Sequence, residues 1–181
     1  MARAALLLLV ALHGIADGSS LRSRTLSPPD PRVCNLRGGE APPDAERTYA
    51  MIKPDVAGNA EAVAAIKEAI ADAGLTIERE EPCTLTREQC ETFYAEHRER
   101  PFFAGLVEFM SSGPVLKLEL SGPGAIKAWR ALIGPTNSEK ARAEAPESLR
   151  ARFGTDGQRN CAHGSDAPES AERELQLMFS P

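Results

Sequence analysis

Three histidines occur in the 181-residue chain, and one has neighbours that suit chemistry. His163 sits in the run Arg159-Asn160-Cys161-Ala162-His163-Gly164-Ser165-Asp166. A single histidine is more often structural than catalytic. Here Arg159 and Asn160 bring hydrogen-bond donors suited to phosphate oxygens, and Gly164 frees the adjacent backbone from ordinary angles. Imidazole titrates near neutrality, so it can attack as a neutral nucleophile. His13 falls in an apolar leader. His97 reads as a solvated side chain at the end of a polar helix, where a helix C-terminus favours it. Cys34, Cys83, Cys90 and Cys161 form neither a CxxC pair nor a Cys/His set with zinc spacing. They read as buried or half-buried thiols, although disulfides remain open in an oxidising compartment.

The elements that must position this histidine follow from hydrophobic period and turn residues. Thr48–Ile52 is a strand that ends at Lys53-Pro54-Asp55, and a helix follows over 61–73, closed by Gly74. Leu75 starts a second strand. Thr86 and Gln89 form a capping box that opens a helix expected to reach His97. A short helix holds 105–110. Residues 115–120 alternate, with Leu116, Leu118 and Leu120 opposite Lys117 and Glu119, as a half-buried strand does. Ile126, Trp129 and Ile133 share one face of a helix over 125–133, and Pro146 opens a short helical turn through Arg150. Pro168 begins a last helix that buries Ala171, Leu175 and Met178. Strands separated by helices, without an internal repeat, predict an α+β sandwich, a sheet covered by helices, with a split βαβ arrangement.

Composition narrows the function class. Apolar residues make up 42% and charged residues 26%, as in an ordinary globular domain. The formal net charge is -5, and since residues 1–46 carry equal numbers of arginines and acids, the imbalance lies in 47–181. An acidic domain is a poor general binder of nucleic acid, and an anion must be held by a local cluster of cations. The run from Ala4 to Leu12 after Arg3 is too short for a membrane span, and none is expected elsewhere. Followed by Ala16-Asp17-Gly18, it has the form of a secretory signal peptide over 1–18. Arg22, Arg24, Arg32 and Arg37 leave an organellar transit peptide as an alternative, and a misplaced gene start is another. Residues 19–45, punctuated by Pro28-Pro29, Gly38-Gly39 and Pro42-Pro43, read as a disordered linker before a domain over 46–181.

Four segments together carry a family resemblance: Tyr49-Ala50-Met51-Ile52-Lys53-Pro54-Asp55, Arg100-Pro101-Phe102-Phe103-Ala104-Gly105-Leu106, Met110-Ser111-Ser112-Gly113-Pro114, and the run around His163. In this order they resemble the nucleoside diphosphate kinases over about 46–180. Gly154-Thr155-Asp156 and the tail 172–179 resemble its divergent branch, which has ciliary and mitochondrial members. The resemblance implies a ferredoxin-like βαββαβ sandwich with an antiparallel sheet. It also implies transfer of the γ-phosphoryl group of a nucleoside triphosphate, usually ATP, to a nucleoside diphosphate, in two half-reactions through a phosphohistidine. Mg²⁺ would be the cofactor, held mainly by the nucleotide phosphates and by no protein metal site.

By the same resemblance His163 is the nucleophile, Glu174 orients its other ring nitrogen, and Ser165 supports Glu174. Lys53 reaches phosphate as a point charge, Arg130 and Arg150 hold phosphate oxygens, and Thr136 adds a hydroxyl. Asn160 meets the sugar, Phe102 stacks on the base, and Tyr94 shapes the histidine's surroundings. Taken singly, Arg130 and Arg150 would be surface arginines, Phe102 core, and Lys53 a solvated loop lysine; their joint match overturns those readings. Val56-Ala57-Gly58-Asn59 departs from the usual pattern after the lysine. The loop between Thr136 and Arg150 is about three residues longer than in the commoner branch, and the chain lacks that branch's C-terminal extension. These departures imply a monomer or small homo-oligomer in place of a hexamer. The alternative function is a scaffold of the same fold with little or no activity, for example in a cilium. A nuclease reading is disfavoured by the acidic surface.

Overall fold

The computed structural model describes residues 45–180. The expected leader over 1–18, and the linker as far as residue 44, lie outside the described residues. The chain starts with β1 (Glu46–Ile52), α1 (Pro54–Ala57), α2 (Ala60–Asp72) and β2 (Thr76–Thr84). Next come α3 (Arg87–Phe93), a 3-10 turn (Ala95–His97), α4 (Phe103–Met110) and β3 (Pro114–Gly122). Then α5 (Ala125–Ile133), α6 (Ser138–Glu144), α7 (Leu149–Phe153), β4 (Ala162–Gly164) and α8 (Pro168–Phe179) complete it. The four strands lie in the order β2-β3-β1-β4, every neighbouring pair antiparallel. This is the ferredoxin-like α+β sandwich.

Alternation along the central strands sorts the core into two layers. Ala50, Ile52, Leu116, Leu118 and Leu120 face α2 and α5, which contribute Ile66, Ile70, Trp129 and Ile133. Tyr49, Met51 and Val115 face the other way, against Phe93 of α3, Leu106 and Met110 of α4, and Met178 and Phe179 of α8. Because helices cover both faces, β3 is not the half-buried strand that its alternation suggests. Glu119 is only 1% exposed, and it is paired with Arg47 and Arg79. Lys117 donates to the Met178 carbonyl at 2.6 Å and Arg79 to the Phe179 carbonyl at 3.2 Å. Cations thus satisfy the orphan carbonyls at the end of α8 and fasten that helix to the sheet.

Several boundaries differ from the sequence expectation for local reasons. The capping box forms as expected, with Thr86 and Gln89 each accepting from the other's backbone N–H. The helix, however, stops at Phe93 and tightens into the 3-10 turn that carries His97. The helix anticipated at Pro146 begins at Leu149, after Ser148. Two elements had no legible signal. α6 is mostly polar, burying only Ser138 and Ala141, and is started by Asn137, whose side chain accepts from the Lys140 N–H. β4 has three residues, too few to show a period, and exists because β1 offers it a free edge.

Candidate active site

His163 lies at the middle of β4, in register with Met51 on β1. Gly164 follows it, but not for backbone freedom as anticipated: it is absent from the residues with positive φ. A Cβ there would fall 2.4 Å from the Trp129 ring, whose Nε1–H donates to the His163 carbonyl at 3.0 Å. The glycine is required so that α5 can lie directly on β4. The unusual backbone belongs instead to Cys161, at φ 71°, held there by a hydrogen bond from its N–H to Asp55 Oδ2 at 3.0 Å. Such a conformation in a side-chain-bearing residue persists only where its surroundings enforce it. Burial pushes the Cys161 thiol up to about 12, so it is an inert core group.

The imidazole is oriented from behind. Its Nε2 lies 2.9 Å from Glu174 Oε2, the same oxygen that accepts the Ser165 hydroxyl at 2.8 Å. An oxygen that is the acceptor in both contacts places the ring proton on Nε2, and among the described residues Nδ1 has no hydrogen-bond partner. Phe93 meets the ring edge-on at 5.0 Å, with Tyr49 at 6.0 Å and Tyr94 at 6.4 Å, which limits its rotation. Glu174 sits on the buried face of α8, one turn before the part of that helix clamped by Lys117 and Arg79.

A cavity of about 660 Å³ opens in front of the imidazole, within the size range of ligand sites. Lys53 lines it, placed by the bend after β1, where its N–H donates to the Cys161 carbonyl at 2.9 Å. Taken singly Lys53 would be a solvated loop lysine, but it is buried, and Nζ donates to Asn160 Oδ1 at 2.6 Å and to the Gln158 carbonyl at 3.2 Å. Burial, together with the nearby Arg150 charge, lowers its pKa to about 8. Arg150 is buried as well and donates to the carbonyls of Gly134 and Ala162. Among the described residues its Nε has no partner, and burial lowers the guanidinium to about 10. Both cations are therefore held, at a desolvation cost, beside the histidine.

The remaining expected residues also converge. Arg130 and Thr136 are exposed on the wall of the cavity. Asn160 is buried beneath it, with Nδ2 donating to the carbonyls of Thr136 and Gly157; Oδ1, already accepting from Lys53, keeps a second lone pair for a ligand hydroxyl. Phe102 also lines the cavity and is 52% exposed, and Tyr94 is buried, its hydroxyl without a partner among the described residues and its pKa driven far up by burial. Of the ten expected residues only Ser165 does not face the cavity; it stands behind Glu174. Among the wall residues that had no assigned role in the sequence are His97, Gln158 and Asp166. Asp166 was legible, being next to the His163-Gly164-Ser165 run. Nothing local marked Gln158 or His97, which reach the cavity only through the packing of the 3-10 turn and of loop 154–161.

Comparison with known proteins agrees with this geometry. Residues 46–181 match the family model described as nucleoside diphosphate kinase. The nucleoside diphosphate kinase of Aquifex aeolicus (strain VF5) is 49% identical over 135 residues, 75% of this chain and 94% of that protein. Nucleoside diphosphate kinase homolog 7 of Rattus norvegicus is 48% identical over 134 residues, 74% of this chain, which spans only 33% of that relative's length. A crystal structure of the Aquifex aeolicus enzyme superimposes with a TM-score of 0.72 at 48% identity, covering 75% of this chain and 96% of that one. One from Encephalitozoon cuniculi gives 0.70 at 35% identity, covering 75% of this chain and 90% of that one. The histidine backed by a carboxylate, in a cavity also lined by two buried cations, thus sits in a chain that belongs to the nucleoside diphosphate kinase family.

Proposed function

We propose that the chain transfers the γ-phosphoryl group of a nucleoside triphosphate, usually ATP, to a nucleoside diphosphate through phosphohistidine at His163. The observation that carries this reading is His163, with Nε2 held by Glu174, lining the same cavity as Lys53, Arg130 and Arg150. Nδ1 attacks the γ-phosphorus, an N–P bond forms, and the bond from that phosphorus to the β-phosphate oxygen breaks. The nucleoside diphosphate leaves with the electron pair. A second nucleoside diphosphate then enters the same cavity, and its terminal phosphate oxygen takes the phosphoryl group from Nδ1. Phosphoryl transfer asks the protein mainly for position and compensating charge. Arg130, Arg150 and Lys53 supply the charge, and Glu174 stabilises the imidazole as it gains and loses the phosphoryl group.

Magnesium would arrive with the nucleotide and neutralise phosphate charge. Its ligands would come mainly from phosphate and water, as is usual for a nucleotide-bound magnesium ion. Among the described residues no helix is long and apolar enough to cross a membrane. The test is incubation with ATP labelled at the γ-phosphate. An acid-labile label on the protein, lost in His163→Ala and discharged by a nucleoside diphosphate, supports the reaction. Absence of label from the wild-type protein would favour the scaffold reading, which similarity to the longer homolog 7 keeps in play.

A further inference from the structure

We infer that Gln158 is a positioning residue: by fastening loop 154–161 to α4 it fixes the place of the Lys53 ammonium, an inference that rests on the phosphate-binding reading of Lys53. The two acceptors of that ammonium, Asn160 Oδ1 at 2.6 Å and the Gln158 carbonyl at 3.2 Å, both belong to this loop. Lys53 is buried, so the charge must stay with the acceptors that replace its water. Where the loop goes, the cation follows.

The loop is held from two directions. Its own turn is shaped by Asp156, whose Oδ1 accepts from the N–H groups of Gln158 and Arg159 at 2.7 and 2.6 Å. The Thr155 N–H donates to the Arg159 carbonyl at 2.7 Å, and Ser138 Oγ of α6 donates to the Asp156 carbonyl at 2.9 Å. None of these bonds reaches α4. That link is made by two consecutive side chains. Gln158 Nε2 donates to the Gly105 carbonyl at 2.7 Å, and the Arg159 guanidinium lies 5.7 Å from the centre of the Phe109 ring. Gly105 and Phe109 are four residues apart, so both contacts fall on one face of α4. Arg159, whose type suggested a phosphate donor in the sequence, is not a wall residue of the cavity; it pairs with Asp156 at 3.6 Å and lies over Phe109. A cation over a ring at that distance is near the outer limit of the attraction. The amide bond is short and directional, and it sets the register of the loop on the helix. Gln158 thus carries three bonds at once, its N–H to the loop turn, its carbonyl to the lysine and its amide to α4.

The test is a double-mutant cycle, read as equilibrium Kd by calorimetry for inorganic tripolyphosphate and for ADP on the full chain. Gln158→Met keeps the reach of the side chain and adds no charge, but it cannot donate to Gly105. With Lys53 present it raises both Kd values about tenfold, and by the same factor, because both ligands meet the lysine through phosphate. In the Lys53→Met background the same substitution changes them by less than about twofold. A generally loosened fold would weaken binding equally in both backgrounds, and that result would overturn the inference. So would an unchanged tripolyphosphate Kd with Lys53 present, no binding of tripolyphosphate by the wild-type protein, or a loss confined to ADP, which would make Gln158 a direct nucleoside contact. Labelling of His163 by ATP is followed in parallel. Its absence together with the coupled Kd pattern would reject the proposed reaction and leave the role of Gln158 standing. Label on the wild-type protein, with Kd values indifferent to Gln158→Met, would do the reverse.

Discussion

Lys53 yields the sharpest quantitative prediction, because its burial makes stability and function oppose each other. Its pKa falls from 10.5 to about 8, chiefly by desolvation and then by the neighbouring Arg150 charge. A shift of this size is roughly 3 kcal/mol of preference for the neutral form. The unfolded chain holds more protons at this site between pH 8 and 10.5, so the Lys53 contribution makes the protein more stable as pH rises through that window. Catalysis runs the other way. The charge that would bind phosphate is lost above pH 8, so kcat/KM for a nucleoside triphosphate falls by roughly tenfold per pH unit from there up to about pH 9.5. Above that Arg150, lowered to about 10, also begins to titrate. Lys53→Arg, whose guanidinium keeps its charge, flattens the profile over pH 7–9.5, at a lower plateau because the Asn160 contact geometry changes. Lys53→Met removes the buried charge but strands Asn160 Oδ1, a loss of about 1–3 kcal/mol. The two changes nearly cancel, so its unfolding free energy in urea at pH 7.5 stays within about 2 kcal/mol of wild type, while turnover collapses. A wild-type kcat/KM flat from pH 7 to 9.5, or a Lys53→Met variant destabilised by more than about 4 kcal/mol, would refute the argument that this ammonium serves phosphate at the expense of the fold.

Two further outcomes are expected. Glu174→Ala frees His163 Nε2 and lowers the rate of phosphohistidine formation by roughly 10²-fold with nucleotide Kd nearly unchanged, read by rapid-quench labelling and calorimetry; a large rise in Kd would make Glu174 a support of the cavity. Gly164→Ala drives a Cβ into the Trp129 ring and separates α5 from β4, so chemical denaturation shows a loss of about 3 kcal/mol or more; a loss under 1 kcal/mol would mean that the two elements part easily.

The legible parts of the chain are those whose signal is local. The bounds of α5 follow from Ile126, Trp129 and Ile133 on one face, with Gly124 and Gly134 at its ends. The start of α3 follows from its capping box, and α8 from Pro168 and its apolar stripe. α6 and β4 were illegible because neither buries a periodic face of its own: one is a polar turn begun by Asn137, the other three residues recruited by β1. The alternation of β3 misled about its polar face, since Glu119 is covered through pairing that depends on Arg47 and on Arg79 of β2.

By itself the sequence determined the kind of chemistry: an imidazole beside phosphate-binding residue types, in blocks whose joint spacing identified the family. Residue type and local spacing are properties of the chain, and they survive unfolding. Tertiary structure decided which groups share one cavity, that the glycine after His163 makes room for a tryptophan, that an apparent loop lysine is buried with a weakened hold on its proton, and that a histidine read as solvated lines the wall. Those properties arise from desolvation and from contact between residues far apart in sequence, and they come into being only when the sheet closes under its helices.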